Sequence, residues 1–339
     1  MGKIGFGLIG TGTWGETHLK LYASDPRVQL ACICDINEEL VKRRAGEYGA
    51  ESWTTDYREL LARDDVQAVA VVTPDFLHRG IALAAAEAGK HILLEKPMAT
   101  TVAECEEINA AVAKAGVKLM IDFHNRFNTP FTQTKAAIEA GEIGEPQMIA
   151  LRLNDTIFVP TEMLSWAGRS SVAWFIGSHS VDLVRWLFED EVVRVYSVAR
   201  SRVLAARGIN TPDFFQSTLE LSRGGVAQIE NCWIMAETYP TVFDFKMELI
   251  GDKGHLMADL STHRMLQKYT LDEATYPDVI GAPMVHGRPV GFAVESIRHF
   301  VDCVVNDKQP LVTGADGLAA TKVVAAVHES AQTGKPVEL

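Results

Sequence analysis

Apolar residues in the first 120 positions form short runs that alternate with helix-compatible segments. The runs predict β-strands at 4–9, 28–35, 66–73, 91–95 and 118–122, and the segments between them predict helices at 14–23, 38–48, 75–88 and 102–115. The runs are rich in Val and Ile, as expected of strands that are covered on both faces. This order predicts an α/β fold whose first domain is a doubly wound, Rossmann-type domain with a parallel sheet.

The pattern changes after residue 125. Strands that alternate apolar and polar positions are predicted at 147–154, 192–203, 214–221, 226–235, 242–250 and 254–259, and helices at 131–140, 177–187, 292–305 and 317–331. Such a series of strands predicts an α+β domain with a large, mostly antiparallel sheet that is covered on one face. The weakly patterned stretches 158–171 and 272–289 are candidates for binding loops or for plain surface loops.

A chain of 339 residues usually contains two domains. We predict a first domain at residues 1–123 and a substrate-binding and oligomerisation domain at residues 124–339, with the C-terminal helix as a candidate to pack back on the first domain. An uncovered, partly apolar sheet face is unusual in a monomer. We therefore expect a homodimer or homotetramer that forms through the sheet of the second domain.

The charge balance narrows the expected partners. The net charge is −12 and the basic residues form no cluster, so nucleic acid and anionic membranes are poor partners. No apolar run approaches the roughly 20 residues that span a bilayer. The five cysteines are scattered, and Cys32 alternates with Cys34 along a predicted strand. We therefore expect reduced thiols in a cytoplasmic protein and no metal site.

The sequence Gly-Thr-Gly-Thr-Trp-Gly stands between the first predicted strand and the first predicted helix. In a dinucleotide-binding loop, Gly10 permits the tight turn, Gly12 lets the backbone approach a diphosphate, and Gly15 lets the helix pack closely on its strand. Backbone amides near Thr13 and Trp14 then face the phosphates at the positive end of the helix. We therefore expect the first domain to bind NAD.

Asp35 ends the second predicted strand, 20 positions after Gly15. A carboxylate at this position accepts a hydrogen bond from the ribose 2′-hydroxyl of NAD. The neighbouring Ile36 and Asn37 bring no cation for the 2′-phosphate of NADP. The alternative is a glycine-rich turn of another α/β protein, in which Asp35 only caps the next helix.

The sequence Glu-Lys-Pro, residues 95–97, stands at the end of the fourth predicted strand. Ligands of open α/β sheets bind beyond the carboxyl ends of the strands, so Glu95 and Lys96 are expected beside the cofactor. The Lys96 amine suits proton transfer, because its ammonium polarises a carbonyl and its neutral form takes a hydroxyl proton. Pro97 is a candidate for a cis peptide bond. The alternative for Lys96 is a plain surface lysine at a strand end.

Two further strand ends carry polar residues. Thr73 ends the third predicted strand, and Pro74 and His78 follow it. These residues either contact the cofactor or form a plain helix-capping turn. Asn125 follows the fifth predicted strand at the domain boundary and is expected to contact the cofactor. Arg126 is a candidate substrate contact or the partner of an acid.

The predicted helix at 177–187 is amphipathic and carries His179 and Asp182. Phe175 falls on the same stripe at helical spacing. His179 is a candidate general acid or base that Asp182 orients. The alternative is a structural histidine, which is the commoner role of a lone histidine on a helix.

These features occur in one order: the glycine loop, Asp35, Glu95-Lys96-Pro97, Asn125-Arg126-Phe127 and a later helix with His-x-x-Asp. In this combination the chain resembles the glucose–fructose oxidoreductase / inositol dehydrogenase / rhizopine-catabolism (Gfo/Idh/MocA) oxidoreductase family, from the first strand to the closing Thr-Gly-Lys-Pro-Val. The resemblance implies that Lys96 is the catalytic lysine, that His179 is the histidine of the catalytic helix and that Asp35 favours NAD. It also implies a sugar, cyclitol or related polyol as the small-molecule substrate.

One position departs from this resemblance. Sugar and inositol dehydrogenases of the family carry Asp four residues before the histidine, where this chain has Phe175. Phenylalanine can neither hold an imidazole nor share its proton. Either Asp182, Asn154 or Asp155 replaces the acid, or Lys96 works largely alone beside a neutral histidine. The change also fits a less polar substrate or lost activity.

Aromatic residues cluster near this position in the sequence, at Trp166, Trp174 and Phe175. They suit stacking on the face of a sugar or cyclitol, and ordinary core packing is the alternative. The candidate substrate contacts are therefore Arg126, Asn154, Trp166, Phe175 and Asp182.

We expect an NAD-dependent oxidoreductase that oxidises a secondary alcohol, with Lys96 taking the hydroxyl proton and His179 assisting. Two alternatives belong to other classes: an NAD-bound glycosidase that oxidises its substrate transiently, and a ligand sensor without turnover. The sequence alone identifies neither the substrate nor the direction of the reaction.

Overall fold

The computed structural model describes residues 2–261 and 265–339. The chain divides into two compact units, one formed by Met1–Asn128 with Ile280–Leu318 and the other by Thr129–Val279 with Ala319–Leu339. The first unit therefore includes a segment from the C-terminal third of the chain. The predicted division between residues 123 and 124 assigns this segment to the second domain, with the C-terminal helix as the candidate to pack back on the first.

The helices and strands follow the predicted order. The α-helices are α1 (Thr13–Ser24), α2 (Glu38–Tyr48), α3 (Tyr57–Leu61), α4 (His78–Glu87), α5 (Val102–Ala115), α6 (Thr129–Glu139), α7 (Ser178–Phe188), α8 (Phe292–Val305) and α9 (Gly314–Thr333). The β-strands are β1 (Ile4–Ile9), β2 (Val28–Cys34), β3 (Trp53–Thr54), β4 (Ala68–Val71), β5 (His91–Leu94), β6 (Leu119–Ile121), β7 (Pro146–Thr156), β8 (Val192–Arg200), β9 (Phe214–Leu221), β10 (Val226–Met235), β11 (Phe243–Gly251), β12 (His255–Asp259), β13 (Lys268–Tyr269), β14 (Ala274–Thr275), β15 (Met284–Val285), β16 (Arg288–Pro289) and β17 (Val337–Glu338).

The first unit is built on a parallel sheet with the strand order β3-β2-β1-β4-β5-β6. The central strands β1 and β4 are almost completely buried, as expected of strands between two layers of helices. The strand order reverses between β1 and β4, and open α/β sheets bind ligands at such a switch point, beyond the carboxyl ends of the strands. The predicted Rossmann-type domain is therefore confirmed.

The second unit is built on a sheet with the strand order β12-β11-β7-β10-β9-β8-β17. The β7–β10 pair is parallel and the other neighbours are antiparallel, which confirms the prediction of a mostly antiparallel sheet. Two helices contact one face of this sheet. Ser180 of α7 accepts a hydrogen bond from Asn231 of β10, and the ring of His328 in α9 lies 4.8 Å from that of Phe215 in β9.

The sequence missed the short elements. β3 and β17 contain two residues each and α3 contains five, which is too little chain for a hydrophobic period to show. The helix predicted at 75–88 begins with a separate 3₁₀ turn, Asp75–Leu77, before α4. The weakly patterned stretch 272–289 contains β14, β15 and β16.

Among the described residues, no helix has the length and apolar character needed to cross a bilayer. All five cysteines are free thiols. Cys32, Cys34, Cys105 and Cys303 are buried, and Cys232 is half-buried.

Candidate active site

The glycine loop follows β1, and glycine is required for different structural reasons at its three positions. Gly10 has a φ of +98°, and a Cβ there would lie 2.0 Å from the carbonyl oxygen of Val72. A Cβ at Gly15 would lie 2.2 Å from the carbonyl oxygen of Gly10. At Gly12, by contrast, a Cβ would meet nothing within 4 Å. Gly10 and Gly15 therefore permit the close packing of the turn, and Gly12 keeps the backbone open to a ligand.

The helix α1 begins directly after this loop. Its N-cap residue is Gly12, which has no side chain to accept from the first amides of the helix. The amides around Thr13 and Trp14 therefore carry the positive end of the helix without a side-chain cap. This arrangement is the usual binding site for a phosphate group.

Asp35 follows β2 and is fixed beside the loop by three hydrogen bonds. Its Oδ2 accepts from the Thr11 amide at 2.7 Å and from the Thr11 hydroxyl at 3.0 Å. Its Oδ1 accepts from the Asn37 amide at 3.0 Å. Each carboxylate oxygen has two acceptor sites, so a ribose hydroxyl can still donate to the same group.

Thr73 follows β4 at the same edge of the sheet, next to the Val72 carbonyl that adjoins Gly10. Its hydroxyl oxygen is buried and has no hydrogen-bond partner among the described residues. A buried polar atom of this kind is expected to bind a ligand or an ordered water. The open loop, the helix N-terminus, the Asp35 carboxylate and this hydroxyl together fit a dinucleotide.

His78 is buried, with 1% of its surface exposed, and joins two loops of the first unit. Its ring nitrogens lie 2.8 Å from the carbonyl oxygen of Pro97 and 2.9 Å from that of Thr73. Burial lowers the pKa of His78, although these two hydrogen bonds raise it. His78 thus supports the turn that carries Lys96, whose peptide bond to Pro97 is cis, and its contact with the cofactor stays a prediction.

Lys96 is half-buried and follows β5 beside a buried network. Oε1 of its neighbour Glu95 accepts from the indole N–H of Trp14 at 2.7 Å and lies 3.1 Å from Nε2 of His18. Burial raises the pKa of Glu95, and the Lys96 ammonium opposes this shift. The sequence assigned Glu95 and Trp14 to cofactor binding but missed His18, whose signal is its place on α1 directly after the glycine loop.

Asn125 and Arg126 lie in a 3₁₀ turn, His124–Phe127, after β6, and both are buried. Nη2 of Arg126 donates to Oδ1 of Asp316 at 2.9 Å. Burial alone raises the pKa of Asp316, but the Arg126 guanidinium helps to hold it below its usual value. Arg126 therefore pairs with an acid of its own unit, and the substrate contact of Arg126 and the cofactor contact of Asn125 stay predictions.

The histidine helix α7 of the second unit follows a π-helical turn, Ala173–Gly177, that the sequence did not predict. A Cβ at Gly177 would lie 2.8 Å from Oδ1 of Asn231, so the turn approaches β10 closely. The Asn231 amide donates to the Leu153 carbonyl at 3.0 Å and to the Ser180 hydroxyl at 3.2 Å. These contacts anchor the start of α7 on the sheet, and π turns frequently occur at functional sites.

His179 and Asp182 lie on α7, where 4% and 1% of their surfaces are exposed. The sequence offered Asp182, Asn154 and Asp155 as replacements for the missing acid. Asp182 and Asp155 are both buried carboxyl groups of the second unit.

Strand register separates Asn154 from Asp155. Asn231 faces α7, and its register partner on β7 is Leu153. Because side chains alternate along a strand, Asp155 lies on the α7 side of the sheet and Asn154 on the other side. Asn154 donates instead to Glu230 at 2.7 Å. The register therefore favours Asp155 over Asn154 as the polar group near α7.

The aromatic residues near α7 form two groups. The ring of Phe175 lies 6.1 Å from that of Trp166, edge to face, and 6.4 Å from that of Trp233. Trp174 instead stacks on His328 of α9 at 5.4 Å. The sequence missed Trp233 and His328, because both are distant along the chain and come close only through the sheet and α9.

His328 also lies 2.9 Å, through Nε2, from the hydroxyl oxygen of Ser171. Burial lowers the pKa of His328 to about 4. The ring is therefore neutral at pH 7 and packs as a structural group between Trp174 and Phe215.

Two family models match the chain. The one described as the NAD-binding Rossmann fold of an oxidoreductase family, GFO_IDH_MocA, matches residues 4–123. The one described as the C-terminal alpha/beta domain of the same oxidoreductase family matches residues 135–339.

Individual relatives agree with these matches. The chain is 28% identical to scyllo-inositol 2-dehydrogenase (NAD(+)) of Bacillus subtilis (strain 168), over 98% of this chain and 95% of the relative. It is 34% identical to levoglucosan dehydrogenase of Pseudarthrobacter phenanthrenivorans over 55% of this chain and 52% of the relative. The fold matches the crystal structure of GenD2 from gentamicin A biosynthesis in complex with NAD, with a TM-score of 0.88, 24% identity and coverage of 100% of this chain and 97% of that one.

The matched models cover the Rossmann-type sheet with its glycine loop and the mostly antiparallel sheet with α7. Lys96 and Asp35 lie within the first match, and His179 lies within the second. The chain therefore belongs to the Gfo/Idh/MocA family of NAD-binding oxidoreductases, as the sequence predicted.

Proposed function

We propose that the protein is an NAD-dependent dehydrogenase that oxidises a secondary alcohol of a sugar, cyclitol or related polyol. The observation that carries the proposal is the position of Lys96 at the end of β5, in the unit that also holds the open glycine loop and the fixed Asp35 carboxylate. The names of the relatives support the substrate class, because inositol is a cyclitol and levoglucosan is an anhydrosugar.

Bound NAD supplies the hydride acceptor of this reaction. The chain's own tasks are to hold the cofactor through the glycine loop, α1 and Asp35, and to move one proton. The neutral amine of Lys96 takes the proton of the substrate hydroxyl while the carbon is oxidised, and the Lys96 ammonium returns it in the reverse reaction. A positioned group of this kind contributes about a hundredfold or more to the rate.

His179 serves as a hydrogen-bonding group that orients the substrate hydroxyl. This role fits Phe175 in the preceding turn, because a phenyl ring offers no acceptor to hold a protonated imidazole. The rings of Trp166 and Phe175 suit the apolar C–H face of a sugar or cyclitol. Asp182 is a further candidate substrate contact on the same helix.

The test is a screen of NADH formation with inositols, aldoses, anhydrosugars and sugar acids. At least one polyol is expected to give turnover with NAD, and the exposed-lysine variant Lys114→Ala should turn over that substrate like the wild type. Two results would contradict the proposal. Release of the aglycone from an added glycoside, with retained NAD and no net NADH, would indicate a glycosidase, and tight polyol binding without any turnover would indicate a sensor.

We further propose that the protein forms a homodimer or homotetramer through the uncovered face of the sheet of the second unit. Strand register puts Met148, Tyr196 and Met257 on one face of this sheet, and 43%, 44% and 72% of their surfaces are exposed. Large exposed apolar side chains on one face favour association. Light scattering that gives the mass of a monomer would rule this out.

A further inference from the structure

His18 of α1, Glu95 after β5 and Asp122 after β6 lie together inside the first unit, and we call them the buried triad. Their exposed surface fractions are 0%, 5% and 0%. One nitrogen or oxygen atom from each lies within 4.8 Å of those of the other two. Two carboxyl groups and an imidazole are therefore held close together and almost completely shielded from bulk solvent.

The hydrogen-bond donors around the buried triad are unevenly distributed. Oε1 of Glu95 accepts from the indole N–H of Trp14 at 2.7 Å. Oδ1 of Asp122 accepts from the hydroxyl of Ser296, which is also fully buried. Oδ2 of Asp122 has no donor among the described residues. An ionised carboxylate oxygen left in this state costs more than the loss of an ordinary hydrogen bond.

A proton on His18 does not provide the donor that Oδ2 of Asp122 lacks. Nε2 of His18 faces Oε1 of Glu95 at 3.1 Å, and its Nδ1 faces the hydroxyl oxygen of Tyr22 at 3.5 Å. Neither ring nitrogen is hydrogen-bonded to Asp122. Burial also lowers the pKa of His18 to about 4, which keeps the ring neutral at pH 7.

A proton shared between the carboxyl groups of Glu95 and Asp122 does provide this donor. A carboxyl oxygen of Glu95 lies within 4.8 Å of one of Asp122, and the two side chains interact directly, so such a proton provides the missing donor and removes one of two adjacent negative charges. In agreement, burial raises the pKa of Glu95, and burial together with the Glu95 charge raises that of Asp122 well above its usual value.

We propose that Glu95 and Asp122 share one proton at neutral pH, so that the buried triad carries a single negative charge next to Lys96, and that Asp122 acts on the Lys96 amine through this charge. A second negative charge beside Lys96 would stabilise its ammonium and deplete the neutral amine that takes the hydroxyl proton. His78 and His124 also interact with Lys96, and burial lowers the pKa of both. The kinetic consequence rests on the proposed function, whereas the charge of the buried triad does not.

The charge is tested first, on the folded protein by capillary electrophoresis at pH 7. Asp122→Asn and Glu95→Gln should each leave the net charge unchanged, because the amide N–H takes the place of the shared proton. The double variant should gain one positive unit. Glu16→Gln is the matched control on α1, because its carboxylate accepts from Tyr48 and Arg44 and its pKa is held low despite burial, so this variant should also gain one unit.

A gain of one unit in each single variant would show that both carboxylates are ionised and would overturn the proposal. Infrared spectroscopy of the wild type covers the case in which the variants do not fold, since a protonated carboxyl band must persist at pH 7. Its absence, or one tightly bound metal ion per chain in the purified protein, would likewise overturn the proposal.

The second test follows kcat against pH with the polyol that the screen identifies. The acid limb should keep its position in either single variant and move to lower pH in the double variant, because removal of the remaining negative charge lowers the pKa of Lys96. A limb that moves in both single variants would contradict the shared proton. If the acid limb moves in none of the variants although electrophoresis gives the expected charges, the base is not Lys96. The proposed mechanism then fails, whereas the proposed charge state of the buried triad still holds.

Discussion

Lys96 follows a strand whose end is surrounded by buried titratable groups, whereas His179 lies in the first turn of a helix whose preceding turn is packed with aromatic rings. Glu95 and His18, with Oε1 and Nε2 3.1 Å apart, exemplify the first environment. Phe175, which contacts Trp166 and Trp233, exemplifies the second. The first region can hold and exchange a proton, and the second is suited to bind the apolar face of a ligand.

The comparison gives the two candidate catalytic side chains unequal tasks. A carboxylate one turn before a histidine would make it a strong acid–base pair, and this chain has a phenyl ring there. Asp155 and Asp182 are buried carboxyl groups of the second unit, but neither occupies the family's position. We therefore expect proton transfer to depend on the first unit, and each experiment below tests this division or a feature that underlies it.

The largest effect is expected for Lys96→Ala. Turnover should fall by about a hundredfold or more, because a positioned acid–base group contributes at least that much. The dissociation constant for NAD should change little, since the glycine loop and Asp35 hold the cofactor. Steady-state kinetics and NAD titration measure both values, with Lys114→Ala as the control. Near-normal turnover of the Lys96 variant would show that the proton goes elsewhere.

Each of the two units contains a buried histidine that should make the protein less stable in acid. Burial lowers the pKa of His328 from 6.5 to about 4, and burial with the nearby Lys96 and His18 charges lowers that of His124 to about 3. The unfolded chain binds these protons at higher pH than the folded chain, so both histidines make stability fall as pH decreases below 6.5.

For His328 the loss between pH 6.5 and 4 should be about 3 kcal/mol. His328→Gln should remove this part of the pH dependence while keeping a polar partner for Ser171. Urea unfolding at a series of pH values measures the effect. An unchanged difference between variant and wild type across this range would mean that the folded His328 binds its proton normally.

Asp35→Ala should weaken NAD binding by about tenfold to a hundredfold, which corresponds to the loss of a charged hydrogen bond of about 1.5–3 kcal/mol. NADP should bind the variant no worse than the wild type, because the repulsion between the carboxylate and a 2′-phosphate is removed. Fluorescence titration with both cofactors measures this change. Tighter binding of NADP than of NAD by the wild type would contradict the assignment of Asp35.

The parts of the site that the sequence predicted are local. The glycine loop, α1 and Asp35 belong to one strand–helix–strand unit, so their spacing along the chain fixes their neighbourhood in space. The predicted element bounds for 4–9, 38–48, 102–115, 214–221, 226–235 and 292–305 agree with the structure for the same reason, since each segment has a clear period.

The parts that the sequence missed come together only through topology. Asp122 meets Glu95 because β6 lies next to β5, and Ser296 meets Asp122 because α8 returns to the first unit. Trp233 approaches Phe175 through the register of β10. The π turn before α7 has no period that differs clearly from that of an α-helix, so the pattern of apolar residues did not reveal it.

The smallest effect is expected for His179→Asn, and it tests the division of tasks most directly. Asparagine keeps a hydrogen-bond donor and an acceptor but cannot carry a proton at neutral pH. If His179 only orients the substrate, kcat/KM should fall by no more than about tenfold, which corresponds to one neutral hydrogen bond of about 1.4 kcal/mol. His179→Ala should lose more, because it removes the hydrogen-bonding group altogether. Equal abolition of turnover in His179→Asn and Lys96→Ala would instead show that the two residues form a relay. In that case a carboxylate such as Asp155 or Asp182 has taken over the task of the acid that Phe175 replaces, and Asp155→Asn and Asp182→Asn would identify which one by reproducing the loss.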